Sequence, residues 1–364
     1  MAVTMTPAFD GSFASSYRDA RQRLLEAASA KHAAVDAHQH PGPSVDGYSL
    51  YTDVVRLGAE NARRVLLIIS GTHGIEGFAG SALQIACLQG LQTAYVPDDT
   101  AVILVHALNP YGFAWYRRVD NENVDVNRNF IEHDAQHPEN PDYEALHTLL
   151  CPEVWNETTR RRGEQALIDY QARCGRTAAE TVLARGQYRH ANGLFFGGRE
   201  PSWSSRLLRS VFAGLTKSAE RMTLLDIHTG LGPYGACQLI CGVDRAGLRA
   251  AAIHRWLGNG ATFFGPGTGF ERLPGAIDSA SEQMLPDTEL TPITVEFGTL
   301  PALEVLQALR ADNWLHSTSS RPDLNCAIKQ DMRRAFYPED ADWRELVLVR
   351  GRQVIARALN GLCA

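Results

Sequence analysis

Apolar and polar positions fall into short blocks whose lengths and breaks predict alternating strands and helices. Val65-Leu66-Leu67-Ile68-Ile69-Ser70 is apolar almost throughout and stops at Gly71, the pattern of a strand buried on both faces. Ala101 to Leu108, Met222 to His228 and Thr291 to Gly298 read the same way, and Ser49 to Leu57 reads as a further strand. Helical spacing runs from Ser12 to His32, where Tyr17, Ala20, Leu24 and Leu25 recur on one side. Phe78 to Leu91, a segment starting at Pro301, and Trp343 to Leu359 predict more helices. Between 131 and 218 the pattern weakens into an insertion-rich region carrying Arg160-Arg161-Arg162 and a helix near Glu164 to Gln171. His38-Gln39-His40-Pro41-Gly42-Pro43 predicts a loop, and Asn192 to Gly198 a turn-rich loop near a cleft. No repeat, low-complexity tract or linker interrupts the chain, so one domain over residues 1–364 is expected. Its class is α/β: a central mixed, mostly parallel sheet flanked by helices on both faces.

Composition narrows the partners. The 364 residues are 45% hydrophobic and 21% charged, ordinary for a soluble globular chain. With 35 Lys and Arg against 41 Asp and Glu, the net charge is −6, which argues against nucleic acid or an anionic membrane as the main partner. Met1 to Pro7 has neither a basic nor an apolar signal region, and no apolar run is long enough to span a bilayer. Seven irregularly spaced cysteines suggest reduced thiols and a cytoplasmic location. Cys237 and Cys241 lack the second pair that a four-cysteine metal site needs.

The candidate chemistry lies at strand ends. His73 and Glu76 follow the Val65 strand, where open α/β sheets place their ligands. An imidazole and a carboxylate are part of a catalytic zinc site built from two His and one Glu. His228 ends a later strand, which breaks at Thr229-Gly230. Glu296 sits inside an apolar strand, a costly position unless it is paired or beside a metal. Taken singly, each has a plainer reading. His228 would be a buried histidine, Glu296 an ion-paired acid, Arg118 a surface charge, and Asp125 to Asn129 a polar turn. His106 reads as structural, and His38 with His40 is the one rival ligand pair. No G-x-S-x-G elbow supports a serine hydrolase.

In order, the blocks are His73-Gly74-Ile75-Glu76, Asn109-Pro110-Tyr111-Gly112-Phe113, Arg118 through Val124-Asp125-Val126-Asn127-Arg128-Asn129-Phe130, then His228 and Glu296. This set resembles the zinc carboxypeptidases of the funnelin type, the M14 peptidases. The nearest likeness is to a bacterial branch of uncharacterised domains related to the aspartoacylase and succinylglutamate desuccinylase group. The resemblance implies a zinc carboxypeptidase-like fold with one Zn2+ per chain held by His73, Glu76 and His228. It implies Glu296 as general base and proton shuttle, Arg118 as the group stabilising the oxyanion, and Asn127 and Arg128 as the grip on a substrate carboxylate. The family's mobile closing tyrosine has no match, because Tyr234, the only Tyr between His228 and Glu296, lies too close to His228. The segment Gly265 to Arg272 occupies that region instead. Asp226, two residues before His228, shares its strand face and either supports a ligand or caps the strand end.

The function expected on this resemblance is zinc-dependent cleavage of an amide beside a free carboxylate. The substrate is a small peptide, as for a carboxypeptidase, or an N-acyl amino acid, as for an aspartoacylase. A non-catalytic zinc-binding scaffold is the reading that Glu296 and Arg118 disfavour.

Overall fold

In the computed structural model, which describes residues 10–92, 96–215, 217–246, 248–258, 260–264, 272–319 and 322–363, the chain forms eight strands. They are β1 (Ala34–Gln39), β2 (Tyr51–Gly58), β3 (Arg64–Ser70), β4 (Thr100–His106), β5 (Arg221–Thr229), β6 (Cys237–Asp244), β7 (Ala261–Phe264) and β8 (Glu289–Phe297). Hydrogen bonding orders them β1-β2-β4-β3-β5-β8-β6-β7 in one mixed sheet. β4, β3, β5 and β8 run parallel at its centre. The ladders β1–β2, β2–β4 and β6–β8 are antiparallel, and β7 is parallel to β6.

The helices are α1 (Tyr17–Ala30), α2 (Gly77–Gly90), α3 (Pro110–Ala114), α4 (Pro141–Leu150), α5 (Glu157–Cys174), α6 (Arg176–Ala184), α7 (Trp203–Leu215), α8 (Leu248–Leu257), α9 (Ile277–Met284), α10 (Ala302–Thr318), α11 (Ala327–Phe336) and α12 (Ala341–Cys363). Side chains alternate across a strand, so β3 feeds two cores. Leu66 and Ile68 join α1, α2, α10 and α12 on one face, while Leu67 and Ile69 meet α7 and α9 on the other. Both faces are therefore covered, as the unbroken apolar run required. β5 and β8 are aligned so that His228 stands opposite Glu296, and Ser70 at the end of β3 stands opposite Ile227. Three strand ends thus meet at one carboxyl edge.

Several elements depart from the pattern read in the sequence. The first helix begins at Tyr17 rather than Ser12, because the Ser16 side chain accepts from Asp19 N and caps it. His38 and Gln39 lie in β1, not in a loop; this edge strand is mostly exposed, so its polar residues carry no apolar signal. Pro301 is the N-cap before Ala302 rather than the first helical residue. The insertion between 131 and 218 holds four helices, α4 to α7. α5 buries only Gly163 and Tyr170, so its periodicity is weak, and an Asn156–Thr159 capping box and an Arg160–Glu164 pair support it instead. Met1 to Phe9 and Gly265 to Glu271, the latter expected near the closing-tyrosine position, lie outside the described residues. Among the described residues, no helix is long and apolar enough to cross a membrane.

His106 shows what burial does to a titratable core group. It is wholly buried on β4, its Nε2 lies 3.0 Å from Ser81 Oγ, and its Nδ1 has no partner. Burial pushes its pKa down to about 4 from 6.5, against the pull of Asp53. As pH falls below about 6.5 the unfolded chain takes up this proton first, so stability falls until about pH 4 and then levels off. His106→Gln is expected to remove roughly 2 kcal/mol of the stability lost between pH 7 and pH 4.5. Urea unfolding at the two pH values measures this, and an unchanged loss would show that His106 does not stay neutral.

Candidate metal centre

The ligand-bearing turn is shaped by backbone contact. Gly71 has a φ of +67°, a conformation that favours glycine, and turns the chain off β3. Gly74 to Glu76 form one 3-10 turn. Gly74 N donates to Arg118 O at 3.1 Å, and Ile75 N donates to Arg117 O at 2.8 Å. This brings Gly74 so near the backbone of Gly112 that no Cβ fits between them.

The turn sets His73 and Glu76 against His228 at the end of β5. His73 Nδ1 lies 3.0 Å from Glu76 Oε1, His228 Nδ1 lies 3.0 Å from Glu76 Oε2, and the two Nδ1 atoms are 3.2 Å apart. All three residues are buried. Each imidazole turns its other nitrogen to a carboxylate: His73 Nε2 is 3.0 Å from Asp125 Oδ1, and His228 Nε2 is 2.7 Å from Asp226 Oδ2. The second contact joins near neighbours on one strand and is too poorly directed for a good hydrogen bond. Thr72 Oγ1 holds the other oxygen of Asp226 at 2.7 Å. With a proton on each Nε2, His73 would donate to Asp125 and His228 would face Asp226, and both Nδ1 lone pairs would be turned to Glu76.

That donor set fits a cation. Three lone-pair atoms this close repel one another unless positive charge lies among them. Ligands ~2.0–2.1 Å from a tetrahedral zinc ion are roughly 3.3 Å apart, close to the spacing here. Among the described residues, His73, Glu76 and His228 are the group of three that could hold a metal. The electrostatics draw positive charge to this spot, which in the metal-free centre is a proton on His228. Burial would raise the Glu76 carboxyl, but His73 and His228 outweigh it and hold it well below the usual carboxylate range. Burial would lower His228, but Asp226 and Glu76 outweigh that and raise it well above its ordinary value.

Around the centre, Asp125 is completely buried and bridges two groups. It faces His73 through Oδ1 and accepts from Arg118 Nε through Oδ2 at 2.9 Å. Burial would raise its pKa, yet Arg118 and His73 hold it well below normal. Arg118 Nη1 lies 3.4 Å from Glu76 Oε1, and its guanidinium covers the Phe195 ring at 5.5 Å. Glu296 accepts from Leu231 N through Oε1 at 2.8 Å. Burial, then the charge of Glu76, pushes its carboxyl up to about 8.

Asn127 and Arg128 sit differently. Asn127 Oδ1 accepts from Ile277 N at 2.9 Å. The buried Arg128 donates through Nε to Ala184 O at 2.7 Å and through Nη1 to Asn127 O at 2.6 Å. Neither makes a hydrogen bond or ion pair with His73, Glu76 or His228 among the described residues. Arg128 Nη2 has no hydrogen-bond partner among the described residues. Tyr234 donates its OH to Asp342 on α12 at 3.0 Å. His38 contacts Asp36, and His40 Nδ1 accepts from Gly42 N, so the rival pair does not converge.

Asp125 is the residue that spacing alone did not single out. Its signal was present: an acid between two valines, inside the block that ends in Asn127 and Arg128. Asp125→Asn would keep the shape and lose the charge that orients His73, so zinc affinity is expected to fall about 10- to 100-fold. Competition with a chromophoric chelator measures it, and native affinity would leave His73 oriented by something else.

Residues 13–350 match DUF2817, described as a protein of unknown function, and the chain belongs to that family. No curated protein matches it. It is similar to the structure of carboxypeptidase A from Helicoverpa armigera, with 15% identity and a TM-score of 0.45 over 93% of this chain and 73% of that one. It is also similar to bovine thrombin-activatable fibrinolysis inhibitor bound to tick carboxypeptidase inhibitor, with 10% identity and a TM-score of 0.44 over 94% and 97%. A third is the product-bound ectoine utilization protein EutE (DoeB) from Ruegeria pomeroyi, with 14% identity and a TM-score of 0.38 over 78% and 67%. At such identities and scores, the chemistry has to follow from the centre's own residues.

Proposed function

We propose that this chain is a zinc-dependent hydrolase that cleaves an amide bond beside a free carboxylate. One observation carries the reading. Two imidazole nitrogens and a carboxylate converge within 3.2 Å, with Glu296 on the neighbouring strand position and Arg118 bound to the same carboxylate. A Zn2+ held by His73, Glu76 and His228 would supply Lewis acidity at this edge of the sheet, toward water and a substrate carbonyl alike.

The chain's own groups do the rest. Glu296 keeps Oε1 on Leu231 N; a cation on Glu76 would offset the charge that raises the Glu296 carboxyl and leave Oε2 ionised to accept a proton from the attacking water. The water oxygen bonds to the acyl carbon, the carbon–nitrogen bond breaks, and Glu296 passes the proton to the leaving nitrogen. Arg118 is fixed by Asp125 before substrate arrives, so its charge is ready for the oxyanion; one such donor is typically worth roughly 3 kcal/mol. Arg128 Nη2 and Asn127 are the proposed grip on the substrate carboxylate. The burial of Arg128 favours a small substrate, either a short peptide or an N-acyl amino acid.

The test is a panel of zinc-loaded assays on short peptides and N-acyl amino acids, each with a free and an amidated carboxylate. Amidation is expected to cut kcat/KM by about 100-fold, as loss of a buried charged contact does. Equal rates on both forms would remove the carboxylate grip. No turnover of any member would leave a zinc-binding scaffold.

A further inference from the structure

Behind the centre, α10 and α11 bury a second group of charges that the reaction does not use. Lys329 is completely buried. Its Nζ donates to Asp312 Oδ1 at 2.5 Å, Trp115 O at 2.7 Å and His316 Nε2 at 2.7 Å, and lies 3.4 Å from Tyr116 O. Asp312 Oδ2 accepts from Arg117 Nε at 3.1 Å. Arg117 in turn donates through Nη2 to Asn123 Oδ1 at 3.0 Å.

These contacts end on the loops that build the site. Trp115 to Arg117 lead directly into Arg118. Tyr116 holds a left-handed φ of +51°, a conformation a bulky residue adopts only under constraint. The carbonyls of Arg117 and Arg118 receive Ile75 and Gly74 of the ligand-bearing turn. Asn123, also left-handed, stands two residues before Asp125, and its Nδ2 donates to Ala191 O and Gly193 O. That segment continues to Phe195, under the Arg118 guanidinium.

We infer that the Lys329–Asp312–Arg117 cluster is a positioning device, which sets the loop presenting Arg118 and seating the His73–Glu76 turn. The inference rests on the metal-centre reading above. A cluster serving stability alone could be replaced by apolar side chains of similar volume at little cost. Here the ammonium satisfies loop carbonyls that an apolar side chain would leave unpaired. Lys329, Asp312 and Arg117 are therefore positioning residues, acting through Arg118 and the turn.

A control lies on the same helix. Arg310, also buried on α10, donates to the carbonyls of Leu149, Leu150, Thr159 and Arg160 in the insertion, and to none in the loops around the centre. The experiment compares native protein, Lys329→Met and Arg310→Met for zinc affinity, for the visible spectrum of bound Co2+, and for kcat and KM on the best substrate found. Lys329→Met is expected to weaken zinc by about 10- to 100-fold, alter the Co2+ spectrum and lower kcat more than it changes KM. Arg310→Met, at a similar loss of Tm, is expected to leave all of these near native. Native affinity and spectrum in Lys329→Met would overturn the inference, as would equal effects of both variants. Should Lys329→Met fail to fold, Asn123→Gly keeps the left-handed backbone, cuts the link to Arg117 and should still alter the Co2+ spectrum. An unaltered spectrum there would overturn the inference too. If the native protein takes up no zinc, the functional reading falls and this inference with it. If it binds and hydrolyses while Lys329→Met stays native, the inference alone falls.

Discussion

Glu296→Gln is expected to bind zinc like the native protein and to hydrolyse its substrate about a thousandfold more slowly. The substitution keeps size and shape, so the amide oxygen still accepts from Leu231 N and β8 keeps its register with β5. What disappears is a group that can take a proton and return it. Stability should not suffer, because burial already penalises the charge and pushes the carboxyl up to about 8. The variant should therefore melt at or above the native Tm while its kcat collapses. Steady-state kinetics beside metal analysis separate these effects. Near-native turnover would remove Glu296 from the reaction, and loss of zinc would make it a structural partner of the centre.

Gly74→Ala should damage fold and centre together. A Cβ there would lie 2.1 Å from Gly112 C and 2.3 Å from Phe113 N, both backbone atoms with no rotamer to yield. The turn must lift away from loop 109–118, losing the hydrogen bonds from Gly74 and Ile75 to Arg118 and Arg117. A destabilisation of about 3 kcal/mol is expected, at the upper end for overpacking. Zinc affinity should fall with it, because His73 and Glu76 ride on that turn. Gly214→Ala in α7 is the contrast, since nothing lies within 4 Å of its added Cβ. It should be neutral or stabilising by up to about 1 kcal/mol. Chemical denaturation of the pair checks the reasoning, and a well-tolerated Gly74→Ala would mean that the two backbones are not in contact.

The apolar runs at Val65, Ala101, Met222 and Thr291 were legible because strands buried on both faces leave an unbroken signal. β1 was not, because an exposed edge strand has polar residues on both sides. α5 was weakly legible for a related reason: it buries little and is supported by capping and ion pairs. His73, Glu76 and His228 could be singled out because imidazoles and acids at strand ends need a reason. That the chosen nitrogens are both Nδ1, each backed by a carboxylate on Nε2, depends on rotamers that no spacing encodes. Lys329 and Asp312 were invisible for the same cause. Beyond each other and His316, their partners are backbone carbonyls and an arginine nearly two hundred positions earlier, joined only when α10 and α11 pack behind loop 115–118.

Metal content is the most direct measurement. Native protein and His73→Ala would be loaded with Zn2+, dialysed against metal-free buffer and analysed for the element. About one zinc per chain in the native protein and almost none in His73→Ala is the predicted result for a site of three protein ligands. No zinc retained by the native protein, or equal zinc in both, would contradict a metal centre built from His73, Glu76 and His228.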